Sequence, residues 1–437
     1  MDLIVKNTTR LKGSVTPPGS KSHTIRALLL ATLAHGASTI ENALDSDDTR
    51  ACMRVCRSIG SAISVRKDKQ GGLSLTVRGK GLPLRLHADV IDTGESGITT
   101  RFVLPLLGLA NSKLSKRIAI ACDPQMRQRP ILPFITALNN VGMDIRPRSK
   151  RSVWPLDVTG TLEGGATIVD GTTSQYISAL LLSLPLAQND SHITIQNLNE
   201  RPYVEMTTRW LDMLGIRYEW KKRGGKDHFI IKGGQHYRPF HGKIPADFSS
   251  ASYFLAAGTI LPGQISMRNL DFSDAQGDKE LVALLAKMGA YIRKRGPVLS
   301  MRGAHELRGA RIDCNAIPDL VPTLAVIGTQ ARGATDLYNV AHARLKETDR
   351  LSAMAQELRR LGAHIREKKD GLTITKSKLR GAPVNGHGDH RTIMALAIAG
   401  LCAQGTTRIK GAEGIAKTFP RFPKLLRDIG GNIYIIK

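Results

Sequence analysis

Three short stretches in the first half of the chain combine cations, hydroxyls and glycine where a loop meets a helical run. Pro18-Gly19-Ser20-Lys21-Ser22, with Arg26 and RALLL behind it, reads as a loop entering a helix. Backbone N–H groups and the positive helix end would meet a phosphate there, and Lys21, Ser22 and Arg26 would add charge and a hydroxyl. A plain exposed basic helix start would look the same on this segment alone. Asp92 to Arg101, DTGESGITTR, has glycines that let backbone approach a ligand closely. Thr172-Thr173-Ser174-Gln175 precedes another apolar helical run and offers hydroxyl and amide groups to sugar hydroxyls or a phosphate.

The titrating groups concentrate in the second half: Pro318-Asp319, Ala343 to Arg350 (ARLKETDR), Gly388-Asp389-His390-Arg391, and Ala416-Lys417-Thr418-Phe419-Pro420. If Lys346 and Arg350 lie on one helix they share a face at i and i+4, with Glu347 beside them. A salt-bridged surface helix would share that pattern. Carboxylates and cations at this density can hold an anionic substrate and move a proton.

These groups need elements to position them. A helical apolar run that ends in glycine and continues as a short alternating strand recurs six times: RACMRVCRSIGSAISV, LPFITALNNVGMDIRP, MTTRWLDMLGIRYEW, LVALLAKMGAYIRK, MAQELRRLGAHIRE and FPKLLRDIGGNIYII. Gly60, Gly142, Gly215, Gly289, Gly362 and Gly430 fall at intervals of 82, 73, 74, 73 and 68 residues, too regular for chance. Each glycine stands where a helix C-cap needs a left-handed residue. Further strands (LSLTVRG, HFIIKGG, GLTITKS) and second apolar helices (RALLLATLAHG, YISALLLSLPLA, ASYFLAAGTIL) lie between the copies, so each unit reads as βαβαββ. Three units per half predict two similar domains, each with three sheets around buried helices, because those second helices are apolar almost all round. The chain is expected to cross between domains through VTPPGS (Val15 to Ser20) and near PFHGKIP (Pro239 to Pro245), which implies a hinge and a cleft that closes on ligand.

Composition agrees with this reading. The 437 residues suit two domains, and the 41% apolar fraction contains no run long enough to span a membrane. The start, MDLIVKNTTRLKG, lacks the apolar core of a secretory signal, so a cytoplasmic protein is expected. Five cysteines (Cys52, Cys56, Cys122, Cys314, Cys402) have no paired metal-ligand spacing and read as reduced core residues. A net charge of +26 must gather anions. The basic residues are spread along the chain and aromatic residues make up only 5%, which favours phosphorylated metabolites over nucleic acid.

The motifs PGSKS, ESGITTR, RQRP, TSQ, IPD, RLKETDR, GDHR and AKTFP follow one another in an order that resembles the EPSP synthases, a family of enolpyruvyl transferases. The resemblance runs from Lys12 to Phe422, and VAHARLKETDR looks closer to archaeal-type members than to the commonest bacterial ones. It implies an α/β fold, a two-domain inside-out α/β barrel in which each domain holds three βαβαββ units with pseudo-threefold symmetry. Residues 1–17 plus 242–437 would form one domain and 18–241 the other. The implied activity passes the enolpyruvyl group of phosphoenolpyruvate to the 5-hydroxyl of shikimate 3-phosphate, on the route to chorismate and aromatic amino acids. Asp319 would be the base, Glu347 the proton donor, and Lys21 an aid to phosphate departure. Shikimate 3-phosphate would be held by Lys21, Ser22, Arg26, Thr173, Ser174, Gln175, Asp319, His342 and Lys346. Phosphoenolpyruvate would be held by Lys21, Gly97, Arg129, Gln175, Arg350, Arg391 and Lys417. No cofactor, metal, nucleic acid or membrane is implied, and a monomer is expected.

The chain departs from that family's pattern at several positions. Glu95, Ile98, Thr173, His342 and Glu200 stand where Asn, Thr, Ser, Asn and Ser are usual. A carboxylate at Glu200 beside a substrate phosphate would be repelled by about 1–4 kcal/mol at 4 Å, so it is expected to point away or to pair with Arg201 or another cation. The alternatives are an enolpyruvyl transferase with a changed acceptor, or an anion- or nucleic-acid-binding pseudoenzyme. The relatives that act on UDP-N-acetylglucosamine carry a cysteine five residues before the Arg of an Arg-Pro pair, and Pro124 stands there.

Overall fold

The repeated segment is a physical unit. In the computed structural model, which describes residues 1–68, 71–110, 117–149, 152–303 and 305–436, each copy ends an outer helix at its glycine. These helices are Asp47–Ser58, Leu132–Asn139, Arg201–Met213, Glu280–Lys287, Arg350–Arg360 and Phe422–Asp428. All six glycines have positive φ, from 72° at Gly215 to 112° at Gly60, where a side chain would be strained.

Each unit builds one four-stranded sheet. In the unit that carries Ser174, strand Gly165–Asp170 runs parallel to Ser191–Gln196, which pairs antiparallel with Lys226–Ile231, itself antiparallel to Tyr218–Arg223. A parallel pair needs a crossover, and helix Ser174–Ser183 supplies it. The same order recurs in all six sheets. Three units borrow strands from distant sequence, among them the one in which Leu11–Val15 runs parallel to Gly263–Met267. His241–Lys243 is the leading strand beside His35–Ala43, and the N-terminal strand Asp2–Lys6 lies between Thr406–Lys410 and Ile433–Ile436.

Six inner helices cross over between the parallel strands: Lys21–Leu33, Gly97–Leu106, Ser174–Ser183, Phe248–Ile260, Val321–Gln330 and His390–Cys402. They are buried on every side, as apolar helices without a polar face must be. Pro185 ends the regular part of YISALLLSLPLA at Ser183, and Leu184–Leu186 continue as a 3-10 turn. Among the described residues no helix is long and apolar enough to cross a membrane.

The chain divides into two compact units, Met1–Pro18 with Pro245–Lys437, and Gly19–Ile244. Each has its own apolar core of inner helices covered by sheets. The second crossing falls after Ile244, where the sequence reading put it at 241/242, because the pairing of His241–Lys243 with His35–Ala43 keeps that strand in the second unit.

Candidate active site

In the first unit the charged motifs converge on one guanidinium. Arg350 opens its helix with a side chain 1% exposed and donates to Asp319 Oδ1 at 2.6 Å, Glu347 Oε2 at 2.6 Å and Asp389 Oδ2 at 2.8 Å. Burial alone would pull its pKa down, but the three carboxylates push it well above the ordinary value. Arg391 Nη2 takes the other oxygen of Asp319 at 2.6 Å, so each oxygen of that carboxylate is held by a different arginine. Asp389 is fully buried and also caps the inner helix His390–Cys402 by accepting from Arg391 N at 2.7 Å. Lys417 is nearly buried and donates to Gly388 O at 2.9 Å. Pro318–Leu320 form the 3-10 turn that delivers Asp319 to the start of helix Val321–Gln330.

Lys346 and Arg350 do not share a helix face. Lys346 ends the 3-10 helix Ala341–Leu345 in an extended conformation, and Asp349 starts the next helix as its N-cap, accepting from Ser352 N at 3.0 Å. Arg344 braces this loop by binding Asp349 and Glu367, both at 2.7 Å. His342 is buried on the 3-10 helix, and Lys346 is half-buried beside it. Two groups absent from the sequence reading join this cluster. Burial, then the charge of Asp319, pushes the Asp278 carboxyl up to about 7; its Oδ2 accepts from Ser249 Oγ and its Oδ1 has no hydrogen-bond partner among the described residues. The Tyr253 hydroxyl is buried near the same arginines, and burial raises its pKa.

The second unit is built differently. Lys21 is the first residue of its inner helix and pairs with Asp48 Oδ2 at 2.8 Å, both side chains largely buried. Arg26, 1% exposed, donates to Thr207 Oγ1 at 2.8 Å, Ser178 Oγ at 3.1 Å, Tyr203 O at 3.0 Å and Ser22 O at 3.0 Å, with Phe102 against its face. Every one of these acceptors is neutral. Burial lowers the Arg26 pKa to about 9, which leaves it protonated at neutral pH.

Gly97 opens the next inner helix, and a Cβ there would lie 2.2 Å from Arg129 Nη1, so glycine is what lets that guanidinium rest on the backbone. Arg101 donates to Gln175 Oε1 at 2.9 Å and to Pro130 O at 3.2 Å, which turns the Gln175 amide so that its NH2 points elsewhere. Thr173 caps the Ser174 helix. Glu200, 1% exposed, accepts from Ser174 Oγ at 2.7 Å and Ser174 N at 3.1 Å. Arg201 does not pair with it: that guanidinium binds Glu205 at 3.0 Å and Asp227 at 3.2 Å and lies over Trp220. Glu95 is exposed and Ile98 buried. Cys122 is buried, and desolvation pushes its thiol up to about 12, which disfavours the thiolate.

Of the contributors missing from the sequence reading, Asp389 and Arg101 sit inside quoted motifs, whereas Asp48, Asp278, Ser178, Tyr203 and Thr207 carry no local mark.

A family profile described as EPSP synthase (3-phosphoshikimate 1-carboxyvinyltransferase) matches residues 5–426. The 3-phosphoshikimate 1-carboxyvinyltransferase of Acetivibrio thermocellus is 44% identical over 428 residues, with 97% of each chain covered. That of Methanocaldococcus jannaschii is 37% identical over 438 residues, with 99% of each chain covered. The EPSP synthase of Acinetobacter baumannii matches the fold with a TM-score of 0.81 over 100% of both chains, at 24% identity.

Proposed function

The chain belongs to the EPSP synthase family, and from that premise we infer that it moves the enolpyruvyl group of phosphoenolpyruvate onto the 5-hydroxyl of shikimate 3-phosphate. It is a transferase of the shikimate route to aromatic amino acids. In the addition half, the hydroxyl oxygen bonds to C2 of phosphoenolpyruvate, the hydroxyl proton goes to a base and C3 gains a proton from an acid. In the elimination half, C3 returns a proton, the C2–O bond to phosphate breaks and inorganic phosphate leaves.

Asp319 is the base in this reading. Its two arginine partners fix its direction. Glu347 is the acid, and to donate it must first gain a proton that its contact with Arg350 opposes; loss of water around bound substrate is the force that raises its pKa. Arg350, Arg391, Lys417 and Arg129 hold the carboxylate and phosphate of phosphoenolpyruvate, with Gly97 leaving room for the last of these. The N–H groups of Arg350 are divided among three carboxylates, so a substrate anion that reaches it replaces one of them. Lys21, Ser22, Arg26, Thr173, Ser174 and Gln175 hold shikimate 3-phosphate, together with Asp319, His342 and Lys346. Lys21 also offers a proton to the departing phosphate once substrate draws it from Asp48. Both substrates are water-soluble anions, and a monomer in the cytoplasm is the form this reading expects.

The observation that carries the assignment is the joint hold of Arg350 on Asp319 and Glu347, which puts an acid and a base on one rigid cation. The test is phosphate release from phosphoenolpyruvate with shikimate 3-phosphate, with UDP-N-acetylglucosamine, and with no acceptor. Release that requires shikimate 3-phosphate and falls at least about 100-fold in Asp319→Ala and Glu347→Ala is expected. Release that is independent of acceptor, or unchanged in both variants, would overturn the assignment.

A further inference from the structure

Five of the six inner helices begin at residues that the functional reading uses: Lys21, Gly97, Ser174, Asp319 just ahead of Val321, and Arg391. The sixth, Phe248–Ile260, begins at Asp247, Phe248, Ser249 and Ser250, which that reading does not use. Asp247 caps it by accepting from Ser250 N at 2.6 Å. The loop ahead of the Glu280 helix is fastened to this start by Gln276, whose Oε1 accepts from Phe248 N and whose Nε2 donates to Ala246 O, both at 2.9 Å. That brings Asp278 to Ser249, whose hydroxyl donates to Asp278 Oδ2.

Ser249 and Tyr253 lie one turn apart on the same face of this helix. The Tyr253 hydroxyl is buried where the charges of Arg391, Asp389, Arg350 and Asp319 reach it. Ser252 meets Thr323 at 3.1 Å in the first turn of helix Val321–Gln330, the one that Asp319 precedes. Asp278, 3% exposed, therefore stands beside the cluster of ion pairs. Its charged neighbours pull in opposite directions: Asp319 and Asp247 oppose its ionisation, and Arg391 favours it. Lys279, next in sequence, turns its ammonium to Phe272 O and Asp274 O, and Glu280 on the following helix is exposed. Burial is the largest of these forces, so the carboxyl keeps its proton to about 7. Tying the loop to the helix does not call for a carboxyl here, because Gln276 already does so and Asp278 Oδ1 has no hydrogen-bond partner among the described residues.

We propose that Asp278 is a positioning residue that sets how firmly Arg391 holds the carboxylate of phosphoenolpyruvate, by standing beside it as a neutral acid or as a competing anion. This rests on the functional reading above, from which it takes the identity of the bound anion. As a neutral acid Asp278 adds no charge, and Arg391 faces the Asp319 carboxylate at 2.6 Å. As an anion it places a second negative charge near that guanidinium, so an incoming carboxylate meets a weaker net attraction. Phosphoenolpyruvate then binds less tightly as pH rises through the titration of Asp278, while the steps after binding keep their rate. The residue acts through Arg391 and not by touching the reacting atoms.

The test is the ratio of KM for phosphoenolpyruvate at about pH 9 to that at about pH 6, measured in the parent and in Asp278→Asn, so that titration of the substrate itself cancels in the comparison. A ratio about fivefold larger in the parent is expected, with kcat following the same pH profile in both. Ratios that agree would overturn the proposal, as would a difference confined to kcat, which would place the effect on Asp319 instead of Arg391. Ser249→Ala supplies an independent sign and decides the matter if Asp278→Asn does not fold. The Ser249 hydroxyl favours the ionised form of Asp278, so its removal should move the rise in KM to higher pH, and a rise that stays in place or moves lower counts against the proposal. If shikimate 3-phosphate gives no turnover at all, the functional reading fails, and calorimetric binding of phosphoenolpyruvate across the same pH range judges Asp278 separately. Affinity that falls with pH more steeply in the parent than in Asp278→Asn supports the role, and parallel curves remove it.

Discussion

The two units handle their buried arginines in opposite ways. In the first, Arg350 is matched against three carboxylates, and the cluster around it is a set of opposed charges whose balance moves with each proton. In the second, Arg26 is equally buried but gives its hydrogen bonds only to hydroxyl and carbonyl oxygens, so its charge is satisfied without being cancelled. A cancelled, proton-bearing cluster suits chemistry, and an uncancelled one suits holding an anion. The fold repeats the same unit six times, and this division of labour comes from side chains at the helix starts and not from the backbone.

The contrast can be broken most severely at Arg350. Arg350→Ala removes the shared partner of three carboxylates, one of them fully buried, and should cost about 3–5 kcal/mol in chemical denaturation as well as activity. Arg26→Met leaves only neutral acceptors behind and should cost less in the same measurement; an equal or larger loss would show that the contrast between the clusters has no energetic content.

Asp278 sharpens the comparison through pH. The native state keeps its proton to about 7, whereas an unfolded chain releases it near 3.8. The folded form therefore binds more protons in that window, and stability should fall as pH rises from about 4 to about 7. Asp278→Asn, which cannot ionise, should remove this component of the slope. Urea midpoints measured across the window for parent and variant check it, and parallel curves would refute a raised Asp278.

The smallest expected effect belongs to Glu200. Its carboxylate already takes the N–H and hydroxyl of Ser174, the donors assigned to the acceptor phosphate. Glu200→Ser should lower KM for shikimate 3-phosphate by about tenfold or less, worth up to about 1.4 kcal/mol, with kcat nearly unchanged. A rise in KM would mean that Glu200 helps seat the acceptor.

What the sequence made legible was whatever is decided locally. The six cap glycines were readable because a left-handed residue after a helix is a short-range requirement, and all six take positive φ. The motif order placed Asp319, Glu347, Arg350 and Arg391 on the page, and these four come together around shared ion pairs. The partners were less accessible. Asp278 meets the charge of Asp319, and Thr207 meets Arg26, through tertiary packing that leaves no periodic trace. Whether Lys346 and Arg350 share one helix had a local answer in the sequence: Asp349 followed by Ser352 is an N-cap pattern that starts the helix after Lys346. Glu200 was expected to point away from the phosphate or to pair with Arg201 or another cation; Arg201 turns to Glu205 and Asp227, and the Glu200 carboxylate, on left-handed backbone with φ of 54°, accepts from Ser174.

The woven strands carry a consequence for how the chain is made. Asp2–Lys6 is synthesised long before its neighbours in the sheet, Thr406–Lys410 and Ile433–Ile436. Gly19–Ile244 is continuous and can close its three sheets during synthesis, since its final strand, His241–Lys243, arrives directly after the rest. The first unit must wait for Ile433–Ile436. Until then the strand Asp2–Lys6 stays an unpaired segment with apolar LIV at its centre.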